Sequence, residues 1–383
     1  MNISLSSALR FAAAASAAAI ITGCEPDDGR AELDAGRAAY EAQEIKKAVK
    51  LFEKSLKLAP DRIDALVCLA RAQLDLGELE EARKAVAAAE ALAGPGDTDV
   101  KMLAAQISWH LKDYAKAAKL FGEVADAKDA SASLQSQAIT GLGIVHLTCD
   151  ERDLARIDFL RAIRLDRRNA AAWYHLGLLY RDSFGYPEAA LEQFEIFVRL
   201  EASASPRVQK VQRSVIPALK ETISRATANL PGVSNRDSSA SSTELSKAEA
   251  AWKKKEFRTA RGLYDASLKA DPLSYPAALG LAQAWQKTDQ TRAGQTKALE
   301  FYKRACVLRP GSVSTFLTTG ALAAKLGLHA QAVEIYSRAV AASPTKPDAL
   351  DGLVRALGKV GGRTKDAQAY QRYRDSITVR KKK

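Results

Sequence analysis

The side chains that most often perform chemistry in enzymes are scattered through this chain. Its four histidines show no His-x3-His spacing of a helical metal site and no carboxylate partner in the sequence around them. Its serines occur in runs such as residues 238–242, without a Gly-x-Ser-x-Gly turn that would expose a nucleophile. Gly141-x-Gly143 lacks the strand-to-helix context of a phosphate-binding loop. The sequence therefore predicts no enzyme, no metal site and no cofactor. The histidines are His110, His146, His175 and His329.

The cysteines divide into one near the N-terminus and three in the body of the chain. Cys68, Cys149 and Cys306 are an odd number of thiols, far apart in sequence and without a Cys-x2-Cys zinc spacing. We expect all three to behave as small buried hydrophobes, with no disulfide between them.

The N-terminal segment has the pattern of a targeting signal. A polar lead ends at Arg10, and an apolar run over residues 11–21 comes next. That run would form a helix of about 16 Å, too short for a hydrocarbon core of about 30 Å. The next residues, Ile21-Thr22-Gly23-Cys24, resemble the lipobox of bacterial lipoproteins.

This resemblance implies that residues 1–23 are removed and that Cys24 carries the lipid, with residues 24–28 as an acidic tether. Several acyl chains on one cysteine would hold the protein at a membrane stably. Glu25 directly after the cysteine favours the outer membrane, facing the periplasm. An ordinary secretory signal with a chance cysteine is the alternative.

The body of the chain is patterned for helices throughout. A Trp-x2-Leu-Gly-x2-Tyr pattern runs from Trp173 to Tyr180, and an Ala-x3-Phe pair ends at Phe194. On a helix the first pattern forms one apolar face, whose Gly177 would let a second helix approach to about 8 to 10 Å. The Ala-x3-apolar mark recurs every 34 to 38 residues within each of two blocks. Its first residues are Ala48, Ala82, Ala117, Ala155, Ala190, Ala260, Ala298 and Ala332, with Asp366 in the last copy.

These marks resemble the tetratricopeptide repeat, a helix pair of about 34 residues. The resemblance implies an all-α, right-handed superhelical solenoid of about nine repeats, five over residues 29–205 and four over residues 244–380. Residues 206–230 carry one apolar stripe and predict a helix, bent near Pro217, that caps the first block. The serine-rich residues 231–243 predict a flexible linker between two arms. One continuous solenoid with a surface loop is the alternative, and residues 381–383 form a basic tail.

Repeat arrays of this kind offer a concave groove lined by the first helix of each pair. In the first block, basic and aromatic side chains are expected to point into it. Arginine binds carboxylates in a forked geometry, and aromatic residues are frequent interface anchors, so the pattern suits an acidic or extended protein segment. Trp109 could equally fill a gap between helices. The predicted groove residues are Arg37, Arg71, Lys101, Trp109, Tyr174 and Arg181.

The predicted function is a non-catalytic scaffold for protein–protein interaction, anchored in the bacterial envelope through Cys24. It would assist assembly of a pilus, a secretion machine or the outer-membrane assembly machine. The net charge of +12 would otherwise suit nucleic acid, but an export signal excludes that partner, and no small-molecule substrate is indicated. The alternative is a basic lipoprotein that binds cell wall or polysaccharide, with Trp109, Trp252 and Trp285 as sugar platforms.

Overall fold

The computed structural model describes residues 28–94 and 96–379, and every regular element in these ranges is a helix. The prediction of an all-α chain of paired helices is confirmed. The predicted signal segment, Cys24, Pro95 and the basic tail lie outside the described residues. Among the described helices, none combines the length and hydropathy needed to cross a bilayer.

Consecutive helices pack as pairs along the whole described chain. The first five pairs are α1 (Arg30–Glu41) with α2 (Ile45–Leu58), α3 (Ile63–Leu76) with α4 (Leu79–Leu92), α5 (Thr98–His110) with α6 (Tyr114–Asp126), α7 (Ala132–Thr148) with α8 (Arg152–Leu165), and α9 (Ala170–Leu178), extended by a π-helical segment (Leu179–Phe184), with α10 (Pro187–Leu200). The last four are α13 (Ser238–Lys253) with α14 (Phe257–Ala270), α15 (Tyr275–Thr288) with α16 (Arg292–Leu308), α17 (Val313–Lys325) with α18 (His329–Ala342), and α19 (Pro347–Leu357) with α20 (Thr364–Val379).

The segment between the fifth and sixth pairs is also helical. It comprises α11 (Pro206–Lys210), a π-helical segment (Val211–Val215) and α12 (Ile216–Ala228). The π-helical turn ends just before Pro217, which lacks a backbone N–H and crowds the carbonyl four residues earlier. Val208, Val211 and Leu219 of the apolar stripe are buried, and α10 packs against α12.

The structure corrects the predicted linker over residues 231–243. Residues from Ser238 onwards lie inside α13, and Asp237 caps that helix by accepting hydrogen bonds from the backbone N–H groups of Ser239 and Ala240. The Asp237 N–H in turn donates to the carbonyl of Ala270. The serines therefore begin a packed helix, and Ser241 is buried.

The described chain divides into two compact units, unit 1 up to His175 and unit 2 from Leu176 onwards. This boundary lies within α9, earlier in the chain than the predicted one. The reason is local: the second helix of the fifth pair, α10, packs against α12 and the π-helical segment before it, and so belongs with the later helices.

An aromatic ring on the second helix fills the space over a glycine on the first. A Cβ placed on Gly36 would lie 2.5 Å from the Phe52 ring, and one on Gly177 would lie 3.0 Å from the Phe194 ring. Tyr336 is enclosed from two sides, because a Cβ on either Gly320 or Gly352 would collide with its ring. At Gly36 and Gly352 the ring leaves no room for a side chain, and at Gly177 an added Cβ would press on the ring. The same contact joins Gly143 to Phe159, Gly141 to Phe121 and Gly280 to Tyr264.

In three of the helix pairs, a buried serine hydrogen bond joins the two helices at the end opposite the turn that connects them. Ser55 Oγ donates to the carbonyl of Gly29 at 2.7 Å, and Ser136 Oγ donates to the carbonyl of Ala162 at 2.9 Å. Ser267 Oγ donates to the carbonyl of Ser241 at 2.8 Å. In each case the partners are 26 residues apart, so the bond joins the start of a first helix to the end of its second helix.

Unit 2 also contains a contact between distant repeats. The Arg338 guanidinium of α18 lies 4.9 Å from the centroid of the Tyr186 ring, and the Tyr186 hydroxyl donates to the carbonyl of Glu334 at 3.5 Å. Tyr186 is 5% exposed. A residue at the start of the fifth repeat's second helix is thus covered by the eighth repeat.

The glycine–ring contact can be tested at Gly177. Replacing Gly177 with Leu should lower the melting temperature measured by circular dichroism, because the added side chain meets the Phe194 ring and overpacking costs about 1 to 3 kcal/mol. The matched control is Gly122→Leu on α6, where a Cβ would meet nothing within 4 Å. Equal melting temperatures for the two variants would show that Gly177 is not at a tight helix contact.

Candidate functional site

The first helices of unit 1 lie side by side. Contacts join α1 to α3, α3 to α5 and α5 to α7, in addition to the contacts within each pair. These four helices therefore share one surface, here called the first-helix surface. It corresponds to the groove predicted from the sequence.

Arg37 lies on this surface and bridges two first helices. Its guanidinium forms ion pairs with Asp34 on α1, at 3.4 Å, and with Asp64 on α3, at 3.2 Å. The Arg37 side chain is 46% exposed, so these pairs contribute little to stability, about 0 to 1 kcal/mol each. They hold the guanidinium in place while leaving it accessible.

Arg71 lies near a second link between the same helices. The Tyr40 hydroxyl of α1 donates a hydrogen bond to the Asp75 carboxylate of α3. Burial, reinforced by the hydrogen bond to Asp75, raises the pKa of Tyr40 well above its ordinary value, and the nearby Arg71 opposes that rise. Burial likewise raises the pKa of the Cys68 thiol, against the lowering effect of Arg37 and Arg71. The structure thus brings Arg37 and Arg71 into one polar cluster.

Lys101 is paired with the second helix of its own repeat. Its ammonium forms an ion pair at 2.7 Å with Glu123 on α6, the second helix of its own repeat. The hydrogen bond from Lys101 holds the pKa of Glu123 below its ordinary value. The ammonium of Lys101 is therefore held toward α6.

Trp109 fills a gap between first helices, the alternative considered from the sequence. Its indole N–H donates to Thr148 Oγ1 of α7 at 3.4 Å. The ring meets His110 edge-on at 4.8 Å between centroids, and it packs partly buried against the core of unit 1. This tryptophan consequently contributes to the joint between α5 and α7.

The last two predicted residues fall in different compact units. Tyr174 belongs to unit 1 and meets His175 edge-on at 5.4 Å. Arg181 belongs to unit 2, in the π-helical segment after α9, and it donates two hydrogen bonds to Asp182, at 2.6 and 2.8 Å. Its guanidinium also lies 5.8 Å from the centroid of the Phe194 ring. Tyr174 and Arg181 are thus each described within their own unit.

Sequence reasoning missed the acidic half of the first-helix surface. Asp64 and Asp75 flank Cys68 and Arg71 at spacings of three and four residues, which places all four on one face of α3. That spacing was available as a signal, but the pairing partners on α1 lie 27 and 35 residues away. The surface is of mixed charge rather than basic.

One histidine has a carboxylate partner, contrary to the sequence prediction. His146 Nδ1 and Asp158 Oδ2 are 2.6 Å apart, and Arg161 donates to the other oxygen of Asp158 at 3.1 Å. Glu151 lies 3.7 Å from His146 Nε2. Asp158 is almost fully buried, so this group ties α7 to α8. Within the described ranges, no three His, Cys, Asp or Glu residues are placed to hold a metal ion.

Comparison with known families identifies the repeats. A family model of the tetratricopeptide repeat matches residues 39–107, and a second such model matches residues 4–63 and 245–313. The chain contains tetratricopeptide repeats. The matches fall in both compact units, and residues 39–107 include α3 and α4 and nearly all of α5. The part of the sequence resemblance that concerned the repeats is thereby confirmed.

Three individual proteins resemble this chain at 18 to 26% sequence identity. Superkiller complex protein 3 of Homo sapiens is 26% identical over 275 residues, which is 68% of this chain and 16% of the human protein. A thermophilic tetratricopeptide repeat protein of Thermus thermophilus is 22% identical, with a TM-score of 0.43 over 50% of this chain and 99% of that one. The pilF protein of Pseudomonas aeruginosa is 18% identical, with a TM-score of 0.42 over 53% of this chain and 93% of that one.

The three cysteines of the described chain differ in exposure. Cys306 is buried, Cys68 is half-buried and Cys149 is exposed, so the prediction that all three are buried is wrong for Cys149. Burial raises the pKa of Cys306 to about 11, and the thiolate is the form that reacts. Below that pH the Cys306 thiol stays protonated in the folded protein.

Thiol labelling should therefore be ordered. In a Cys24→Ser background at about pH 8, a thiol reagent such as DTNB should label Cys149 first and Cys306 only after denaturation, because exposure and thiolate fraction both control the rate. Adding Cys149→Ser should remove the fast phase. A fast phase that survives this change would show that Cys68 or Cys306 is accessible, contrary to the expected order.

Proposed function

We propose that this protein is a non-catalytic scaffold that binds segments of other proteins. The observation that supports it most directly is the unbroken contact of successive first helices from α1 to α7. These helices align side chains of four repeats on one surface, and such surfaces serve as extended binding faces in repeat proteins. The tetratricopeptide repeats found in both compact units agree with this role.

The partner we propose is an extended segment that carries carboxylates. Arg37 is held between Asp34 and Asp64 and remains about half exposed. An incoming carboxylate can replace either aspartate at the guanidinium, since an exposed ion pair holds its partners only weakly. The displaced aspartate, Asp34 or Asp64, would then be released to face N–H groups or a basic side chain of the same segment. The mixed charge of the surface thus favours an extended segment with acidic residues over a uniformly acidic one.

We further propose that the protein acts in the bacterial envelope, held by lipid on Cys24 at the outer membrane and facing the periplasm. The support is the Ile21-Thr22-Gly23-Cys24 sequence after an apolar run. A tethered scaffold would assist the assembly of an envelope machine such as a pilus, a secretion system or the outer-membrane assembly complex.

The contacts of the tryptophans favour the protein-binding function over polysaccharide binding. A tryptophan that stacks on a sugar needs one face of its ring to be accessible. Trp252 meets Phe257 at 4.9 Å and Tyr264 at 6.4 Å between ring centroids, and Trp109 is joined to α7. Trp285 lies beneath the Arg261 guanidinium. These rings therefore pack against other side chains of the protein or contact its cations.

The scaffold proposal predicts a discrete complex in cells. Crosslinking followed by purification should recover defined envelope proteins with the wild type, and fewer with a variant carrying Arg37→Gln, Arg71→Gln and Arg181→Gln. Glutamine avoids setting a new carboxylate beside Asp34, Asp64 or Asp182, so the variant should fold. Recovery of cell wall or lipopolysaccharide alone with both proteins would overturn the proposal.

A matched control distinguishes an effect of these three arginines from an effect of net charge. Lys50, Lys84 and Lys119 are exposed on the second helices α2, α4 and α6. Changing these three to Gln removes the same charge from the other side of the helix pairs. We expect this control to recover the same proteins as the wild type. Equal losses in both triple variants would assign binding to net charge rather than to Arg37, Arg71 and Arg181.

The anchor predicts a separate result. Replacing Cys24 with Ser should abolish incorporation of radioactive palmitate in a bacterial host and move the protein from the membrane fraction to the supernatant, because the acyl chains are its hold on the bilayer. Cys149→Ser should retain the label. Undiminished labelling of the Cys24→Ser variant would place the lipid elsewhere or exclude the lipoprotein proposal.

A further inference from the structure

A cleft in unit 2 gathers charged side chains around a tryptophan. It has a volume of about 330 Å³ and is lined by residues of α14, α15 and α16. Arg261 and Asp265 come from α14, Trp285 from α15, and Lys297 and Glu300 from α16. Leu281 and Phe301 add apolar lining. The cleft is therefore formed mainly between two second helices, and it belongs to unit 2, whereas the first-helix surface belongs to unit 1.

Two cations of the cleft rest on the same indole. The Arg261 guanidinium carbon lies 4.2 Å from the centroid of the Trp285 ring, and Lys297 Nζ lies 4.8 Å from it. Both distances are within the range of cation–π attraction, about 6 Å. Arg261 is fixed further because it donates to Thr288 Oγ1 at 2.9 Å. The tryptophan thus holds two positive groups, each within 5 Å of the centre of its ring.

These cations differ from those of the first-helix surface in their pairing. Arg37 binds neighbouring carboxylates, whereas in the described part of the chain neither Arg261 nor Lys297 forms an ion pair within 4.0 Å. Both act through space on Asp289. The pKa of Asp289 is below its ordinary value mainly because Thr291 donates hydrogen bonds to it, with smaller effects of Arg261 and Lys297.

The charges along the cleft are ordered. Asp265 follows Arg261 by four residues on α14, and Glu300 follows Lys297 by three residues on α16, which is about one helical turn in each case. Each second helix therefore presents a cation and then a carboxylate. Asp265 is paired with Lys269 at 2.7 Å. The cleft accordingly has a cationic end at Trp285 and an acidic end one turn away.

We propose that this cleft docks an acidic residue of an extended segment of a partner protein. The side-chain carboxylate would bind between Arg261 and Lys297, and the N–H groups beside it would face Glu300. A volume of about 330 Å³ is at the small end for a ligand site, so it takes one acidic side chain and the adjoining backbone. Because the indole and Thr288 already position the cations, little side-chain freedom is lost on binding.

The docking site is independent of the first-helix surface, and each can fail without the other. The probe is a fluorescent, end-blocked peptide with one glutamate between leucine and glycine residues, titrated into the full chain and followed by polarisation. The variant with Arg261→Gln and Lys297→Gln should raise the Kd about tenfold. A peptide with glutamine in place of glutamate should bind the wild type about tenfold more weakly.

The control variant carries Lys325→Gln and Lys359→Gln, two lysines of unit 2 outside the cleft, and loses the same charge. We expect its Kd to stay within about twofold of the wild type. Equal weakening in both double variants would overturn the proposal in favour of general attraction to a basic chain. Absence of wild-type binding at about 1 mM peptide would also overturn it.

A competition experiment distinguishes the carboxylate of a protein segment from that of a small molecule. N-acetylglutamate carries the same side-chain carboxylate without the flanking residues. Competition only at concentrations far above those of the unlabelled peptide supports docking of a protein segment. Competition as effective as that of the peptide would make the cleft a site for a small carboxylate and overturn protein docking.

Discussion

The contact between a glycine and an aromatic ring sets the geometry on which the rest of this protein depends. Where the first helix carries Gly36, Gly143 or Gly177, the ring of its partner helix lies in the space that a side chain would occupy. Gly141, Gly280 and Gly352 make the same contact with the ring of the preceding repeat. One ring can therefore fix both the spacing within a pair and the spacing to the next pair, as Tyr336 does. Stacking of repeats results from this local rule, because each pair leaves a ring that the next must cover.

Polar groups then determine what each surface of the stack can do. On the first helices, cations such as Arg37 are held by aspartates of the next repeat, so charge is balanced within the surface. Between the second helices α14 and α16, Trp285 holds cations by its ring face and leaves them without a carboxylate partner among the described residues. A ligand carboxylate must displace an aspartate to bind a cation that is already in an ion pair. A cation without an ion pair can bind the ligand carboxylate directly. The two surfaces are therefore suited to different kinds of contact.

The helix pairs could be predicted from the sequence because their signals are local. Apolar residues three and four apart and the Ala-x3-aromatic mark all lie within one repeat. The serine-rich residues 238–242 were misjudged because serine composition resembles a linker, while Asp237 as a helix cap and Ser241 as a buried acceptor decide the outcome. Contacts such as Arg37 with Asp64 or His146 with Asp158 depend on register between helices. The pair of Lys101 with Glu123 of α6 likewise needs a partner on another helix, which no spacing within α5 indicates.

The contact of Tyr186 with α18 has a consequence for how unit 2 folds. A linear array can grow and fray one repeat at a time, since each repeat touches only its neighbours. Tyr186 and Glu334 are separated by 148 residues, so this pairing adds a long-range closure to an otherwise local topology. At a synthesis rate of about 5 to 20 residues per second, Glu334 is made roughly 7 to 30 s after Tyr186. The end of the fifth repeat is thus completed only when the eighth exists, which couples their unfolding into one event.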